Sequence, residues 1–126
     1  MTTGYIVFAH GSSVETANQA VRDVTRELSR RAGMEIAEAA FLEGGQPDLA
    51  GAIEKLANRD VRRVIVIPYF LTLGLHLRRD LPRLVESVKR SHPGLHIEVR
   101  EPLDGHPALV EALLDRALVE SEQETA

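Results

Sequence analysis

The sequence predicts a single α/β layer domain with a four-stranded parallel sheet flanked by helices, and three observations carry that prediction. Short apolar runs stand at four places along the chain. Each is followed by a stretch whose apolar residues recur every three or four positions. No linker or low-complexity segment divides the 126 residues. Strand then helix, four times over, gives a parallel sheet with right-handed crossovers. The domain is expected to occupy residues 1–119, with the acidic, apolar-poor residues 120–126 as a frayed tail.

The first strand is expected over residues 5–9, YIVFA, whose nearly continuous apolar character suits a strand covered on both faces. Ser12 and Glu15 follow with capping-box spacing, and Val14, Ala17, Val21, Val24 and Leu28 form one helical stripe that Gly33 closes. Residues 35–42 read as a second strand, weaker because alanine and glutamate are poor strand formers. After Gly44-Gly45-Gln46, Pro47 is placed to start a helix with Leu49, Ile53 and Leu56 inward. The third strand, residues 61–70, holds the run Val64-Ile65-Val66-Ile67. Pro68 should stand where its ladder is ending, because proline has no amide hydrogen. A loop to about Arg79 then leads to a helix whose first turn holds Asp80 and Pro82, with Leu84, Val85 and Val88 inward. Residues 95–100 alternate, which predicts an edge strand. Pro107 opens a last helix carrying Leu109, Val110, Leu113, Leu114, Ala117 and Leu118.

Composition narrows the function. At 44% hydrophobic and 27% charged, the chain has ordinary globular usage. It holds no cysteine, which removes disulfide scaffolds, thiolate zinc sites, iron–sulfur clusters and cysteine nucleophiles. A net charge of −4 argues against broad nucleic-acid binding. No apolar run approaches the roughly 20 residues that span a bilayer, and the start MTTGYIVFAHGSS does not read as a signal peptide. A soluble, cytoplasmic protein is the expectation, with neither nucleic acid nor membrane as partner.

In open parallel sheets, ligands bind beyond the carboxyl ends of the strands. There stand His10-Gly11-Ser12, Glu43-Gly44-Gly45-Gln46, the loop before His76, and Asp104-Gly105-His106. His10, Glu43 and His76 recur at the length of one strand–helix–strand step, which puts them at equivalent places on neighbouring strand ends. Two imidazoles and a carboxylate suit a divalent metal or proton transfer. Ser12 reads as a helix cap rather than a nucleophile, since the GxSxG elbow is absent. His92 and His96 are separated by Pro93-Gly94, which breaks any helical ligand pair, and His106 reads as a helix start. Arg78 and Arg79 are either a solvated face or a grip on carboxylates. Neither GxGxxG nor GxxxxGK[ST] occurs. The loop before His76 is unusually apolar, as a flat hydrophobic ligand or a partner surface would require.

VFAHGSS, AFLEGGQP, VIPYFLTLGLHLRRDLP and EPLDGHP, in this order and spacing, resemble the sirohydrochlorin chelatases of the CbiX type. The resemblance covers nearly the whole chain and implies a chelatase-like (flavodoxin- or Rossmann-like) domain. It implies insertion of a divalent metal, Co2+ or Fe2+ and by analogy with archaeal members Ni2+, into sirohydrochlorin for cobalamin or siroheme, without an organic cofactor. By resemblance His10 and His76 are metal-binding, His10 also accepts protons, and Glu43 assists. The residues that line the tetrapyrrole are then Phe70, Leu71, Thr72, Leu73, Gly74 and Leu75, together with Gln46. Ser13 departs from the pattern, because many relatives carry arginine there. Larger members carry two such domains facing across a cleft, so one domain implies a homodimer. Two rival readings use the same residues: a tetrapyrrole or metal carrier without catalysis, and a hydrolase with metal-bound water as nucleophile.

Overall fold

A computed structural model describes residues 2–120. The elements run β1 (Thr3–Ala9), α1 (Glu15–Ala32), β2 (Ala37–Phe41), α2 (Leu49–Ala57), β3 (Arg63–Tyr69), α3 (Leu75–Ser91), β4 (His96–Val99) and α4 (Pro107–Leu118). The four strands form one parallel sheet in the order β2-β1-β3-β4. The predicted architecture is therefore the observed one, with β4 at an edge. The proposed tail falls mostly on residues 121–126, outside the described residues.

Alternation along the strands sends side chains to two faces. Ile6, Phe8, Ala40, Val64, Val66 and Ile97 pack with Leu49, Ile53 and Leu56 of α2 and with Leu81, Val85 and Val88 of α3. On the opposite face Ala9, Ala39 and Phe41 meet Val21 of α1. At roughly 1.5–3 kcal/mol for each large apolar side chain buried, the first face dominates the core.

Five local expectations need correction. Helix α1 starts at Glu15 with Val14 as its N-cap residue, so Glu15 occupies the first helical position, too early for a capping box. Ser12 instead accepts a bond from the Val14 amide through Oγ, at 3.0 Å. The buried stripe of α1 is also rotated from the predicted one. Val14 and Val24 are exposed, whereas Asn18 and Thr25 are buried. Thr25 is tolerated there because its hydroxyl donates to the Val21 carbonyl at 2.8 Å.

Pro47 does not begin α2. Asp48 is the N-cap and its carboxylate accepts from the Gly51 amide at 2.8 Å, while Pro47, after a cis peptide, lends its carbonyl to the Phe41 amide. Helix α3 begins at Leu75 rather than near Asp80, because Leu77 already packs on the core and extends the Leu81–Val85–Val88 stripe backward. Pro82 thus lies inside the helix. Finally, α4 is a helix as expected, but none of its residues is buried.

Pro68 pairs with Phe8 of β1, while the β3–β4 ladder stops earlier at Val66, opposite Val99. The ladder on that side has ended before the missing amide hydrogen matters, as predicted.

Candidate functional site

The helix after β1 lies on one face of the sheet and the helix after β3 on the other. The two loops therefore part at the carboxyl ends of adjacent strands, which opens a crevice at the point where the strand order reverses. His10 stands on one lip, immediately after β1, and the residues 70–75 on the other.

His10 and Glu43 come together, with His10 Nε2 3.5 Å from Glu43 Oε1, and both side chains are well exposed. Their backbones are zipped: the Leu42 amide donates to the Ala9 carbonyl at 2.9 Å, and the Glu43 amide to the His10 carbonyl at 3.0 Å. Gly11 makes this approach possible. Its φ is +87°, and a Cβ added there would lie 1.7 Å from the Glu43 carbonyl oxygen. Donation from His10 Nδ1 to the Gly11 carbonyl, at 3.1 Å, leaves the Nε2 lone pair on the side of Glu43. A ring so disposed can ligate a cation or take up a proton.

The residue that joins the two loops is one that sequence reasoning missed. Asn18, 1% exposed, donates from Nδ2 to the carbonyls of Ser12 (2.8 Å) and Gly44 (3.0 Å), and accepts the Ser12 amide on Oδ1 at 2.9 Å. One amide side chain thus clamps the loop carrying His10 to the loop carrying Glu43. The signal was present: an asparagine four residues after Val14 and three before Val21, on the inward side of an amphipathic helix. Arg22, one turn on, lies 5.3 Å over the Phe41 ring and bonds Glu15. That guanidinium, with a smaller contribution from the Asn18 amide, holds the Glu15 carboxyl below the usual carboxylate range. Arg22 also reaches the Gln46 carbonyl at 3.5 Å; the Gln46 side chain itself is exposed.

His76 sits apart from this pair, in the first turn of α3. Among the described residues no three His, Asp or Glu side chains form a ready metal cluster. Arg79 donates to His76 Nδ1 at 3.3 Å and to Asp80 at 3.2 Å. In the neutral ring His76 therefore carries its proton on Nε2, and a metal there takes Nδ1 from Arg79 or follows a change of tautomer. Arg78 lines a groove between α3 and β4 with Lys89 and Arg100.

The apolar loop is divided in its use. Phe70 and Leu73 turn inward onto the core, with Phe70 tilted against Phe8 at 5.8 Å between ring centroids. Leu71 and Leu75 project, 67% and 81% exposed, and Thr72 and Gly74 lie open beside them. His106 caps α4, accepting the Ala108 amide at 3.0 Å on Nδ1, as its position suggested. His96 bonds Glu98 and His92 ends α3, so the two form no ligand pair.

Comparison with known proteins finds sirohydrochlorin chelatases and a CbiX protein. The chain is 29% identical over 113 residues to the sirohydrochlorin cobaltochelatase of Sulfurisphaera tokodaii, covering 90% of this chain and 89% of that one. It is 27% identical over 113 residues to the chloroplastic sirohydrochlorin ferrochelatase of Arabidopsis thaliana, covering 90% of this chain but spanning only 50% of the plant protein. Among solved structures, the CbiX protein of Marinobacter aquaeolei VT8 superposes with a TM-score of 0.80 at 29% identity, covering 91% of this chain and 93% of that one. The cobalt complex of the sirohydrochlorin chelatase SirB from Bacillus subtilis subspecies spizizenii shares the fold, with a TM-score of 0.86 at 21% identity. It covers 93% of this chain and 50% of that one. The CbiX family model matches residues 4–119, and the chain belongs to that family.

Proposed function

We propose that this protein inserts a divalent metal ion, Co2+ or Fe2+ with Ni2+ as a further candidate, into sirohydrochlorin with release of two protons. The observation that carries the reading is the His10–Glu43 pair on the lip of the crevice, in a chain of the CbiX family. Insertion needs a metal held loosely enough to leave, a base for two pyrrole protons, and an apolar ledge for the ring. His10 Nε2 serves as ligand and then as base, and Glu43 passes protons to solvent. His76 adds a second imidazole across the crevice. Leu71 and Leu75 are the projecting side chains against which a flat ring rests, with the backbone of Thr72 and Gly74 beside them. No organic cofactor is called for. The working unit is a pair of chains, which would set two copies face to face as the two domains of larger family members are.

The test is spectral. With sirohydrochlorin and Co2+, the wild type should speed the absorbance change above the spontaneous rate, and His10→Ala and His76→Ala should each lose at least about a hundredfold, within the range of general acid–base contributions. Both variants should keep the wild-type circular dichroism. Full activity in either variant removes that residue from the site. Tight binding of the tetrapyrrole without acceleration makes the protein a carrier, and ester or phosphate hydrolysis makes it a hydrolase.

A further inference from the structure

Neither ring nitrogen of His76 is ready for a metal. Arg79, one turn on in α3, donates from Nη2 to His76 Nδ1 at 3.3 Å. The neutral ring then carries its proton on Nε2. A metal that takes Nδ1 must displace the guanidinium. A metal that takes Nε2 needs the ring proton moved to Nδ1, where it would face the Arg79 N–H, donor against donor. By either route Arg79 has to let go.

The guanidinium is free to do so. Arg79 and Asp80 side chains are each 57% exposed, and Arg79 Nε donates to Asp80 Oδ1 at 3.2 Å. An exposed ion pair of this kind is a weak tether. A neutral imidazole is in turn a poorer acceptor than a second carboxylate, which can take two parallel bonds from the guanidinium fork. Sirohydrochlorin offers such groups, because acetate and propionate side chains surround its ring.

The helix also sets Arg79 where that rim would pass. Leu75, 81% exposed, stands four residues before Arg79, and residues four apart on a helix are neighbours on one face. A ring resting on Leu75 therefore brings its edge to Arg79. Arg78 is placed differently, lining the groove between α3 and β4. Of the two adjacent arginines, Arg79 is the one beside both the ledge and the imidazole.

We propose that Arg79 is a substrate-operated guard on His76. It occupies Nδ1 while the crevice is empty, and a rim carboxylate of the tetrapyrrole draws it off, which frees His76 for the metal. This rests on the metal-insertion reading and adds an order to it, with the ring seated before the second imidazole joins. Without the ring, an ion at His10 is not trapped between two imidazoles. The same contact favours an anionic rim over an esterified one.

The test starts without tetrapyrrole, by titrating Co2+ alone. Wild type and His76→Ala should bind it equally, because His76 is guarded. Arg79→Ala should bind it about tenfold more tightly, and Arg79→Ala/His76→Ala should lose that gain. The double variant separates a freed imidazole from a mere loss of positive charge. Long-range 1H–15N spectra at about pH 8.5, above the usual histidine range, should show the Nε2–H form of His76 in wild type and a tautomer mixture in Arg79→Ala. Binding of sirohydrochlorin, followed by its fluorescence, should weaken about tenfold in Arg79→Ala, the size of one charge-assisted hydrogen bond. Arg90→Ala, which removes a charge from the last turn of α3, should change it by less than about twofold. Equal Co2+ affinity in wild type and Arg79→Ala overturns the proposal. So does an unchanged His76 tautomer, or unchanged sirohydrochlorin binding in Arg79→Ala. None of these readings needs turnover, so a wild type that binds the ring without inserting metal defeats the proposed function and leaves the role of Arg79 to be decided by them.

Discussion

Asn18 offers the sharpest check on how the site is built. Asn18→Ala removes three close hydrogen bonds, two to the Ser12 and Gly44 carbonyls and one from the Ser12 amide, besides a long one to Glu15 at 3.5 Å. At about 1 kcal/mol net for each, the loss is about 3 kcal/mol, and with a urea slope near 1.5 kcal/mol/M the midpoint should fall by about 2 M. Asn18→Asp separates a clamp from mere filling, because the two residues have nearly the same shape. The aspartate keeps the acceptor for the Ser12 amide but sets a buried carboxylate oxygen against two carbonyls that need a donor. At pH 7 it should therefore be worse than alanine. Its carboxyl pKa would be raised in the folded state, so the deficit should be complete at neutral pH and shrink as pH falls through the raised value. The assay is urea unfolding of wild type, Asn18→Ala and Asn18→Asp across a pH series, with the metal-insertion rate of the folded fraction measured beside it. An Asn18→Asp protein as stable as wild type at pH 7, or an alanine cost below about 0.5 kcal/mol, a size typical of surface changes, refutes the clamp.

Gly11→Ala forces a Cβ into the Glu43 carbonyl and should cost about 4 kcal/mol or prevent folding. Gly105→Ala, also at positive φ but with nothing within 4 Å, should cost only about 1 kcal/mol of backbone strain. Comparable melting temperatures for the two variants contradict the close-approach argument. Pro82→Ala restores an amide donor inside α3 and should raise the urea midpoint by an amount worth about 1–2 kcal/mol, after the more flexible unfolded chain is allowed for. A lower midpoint means that the proline's packing matters more than the missing bond. The Arg63 guanidinium, with His96 and Arg100, holds the Glu98 carboxyl below the usual carboxylate range. Its contribution is thus present at neutral pH and lost as pH falls through that depressed value. The stability gap between wild type and Glu98→Gln should close in acid, and a gap that widens there is inconsistent with this sign.

The strands and the positions of His10 and Glu43 were legible because they depend on short-range facts: β-branched runs, and glycines directly after them. The facing of α1 was not legible. A hydrophobic stripe through Val14 and Val24 fits the sequence well, but Asn18 and Thr25 take the inward places because each finds backbone partners there. Such pairing depends on which loop lies alongside, and the Gly44 carbonyl is 26 positions from Asn18. The start of α3 was missed because Pro82 was read as a first-turn signal. The apolar contact of Leu77 with the core outweighs one absent backbone bond. The division of the loop before His76, with Phe70 inward and Leu71 outward, follows from the Phe8 ring beneath it, which no local pattern reveals.

The openness of the His10–Glu43 pair has a consequence for metal choice. On the proposed reading, an ion held by the solvent-facing His10 imidazole keeps most of its coordination positions filled by water, so shape imposes little discrimination. Occupancy then follows the Irving–Williams order, which rises from Fe2+ through Co2+ and Ni2+ to Cu2+. Copper should accordingly compete at this site. Which metal reaches the ring is set less by the protein than by the ions that its surroundings leave free.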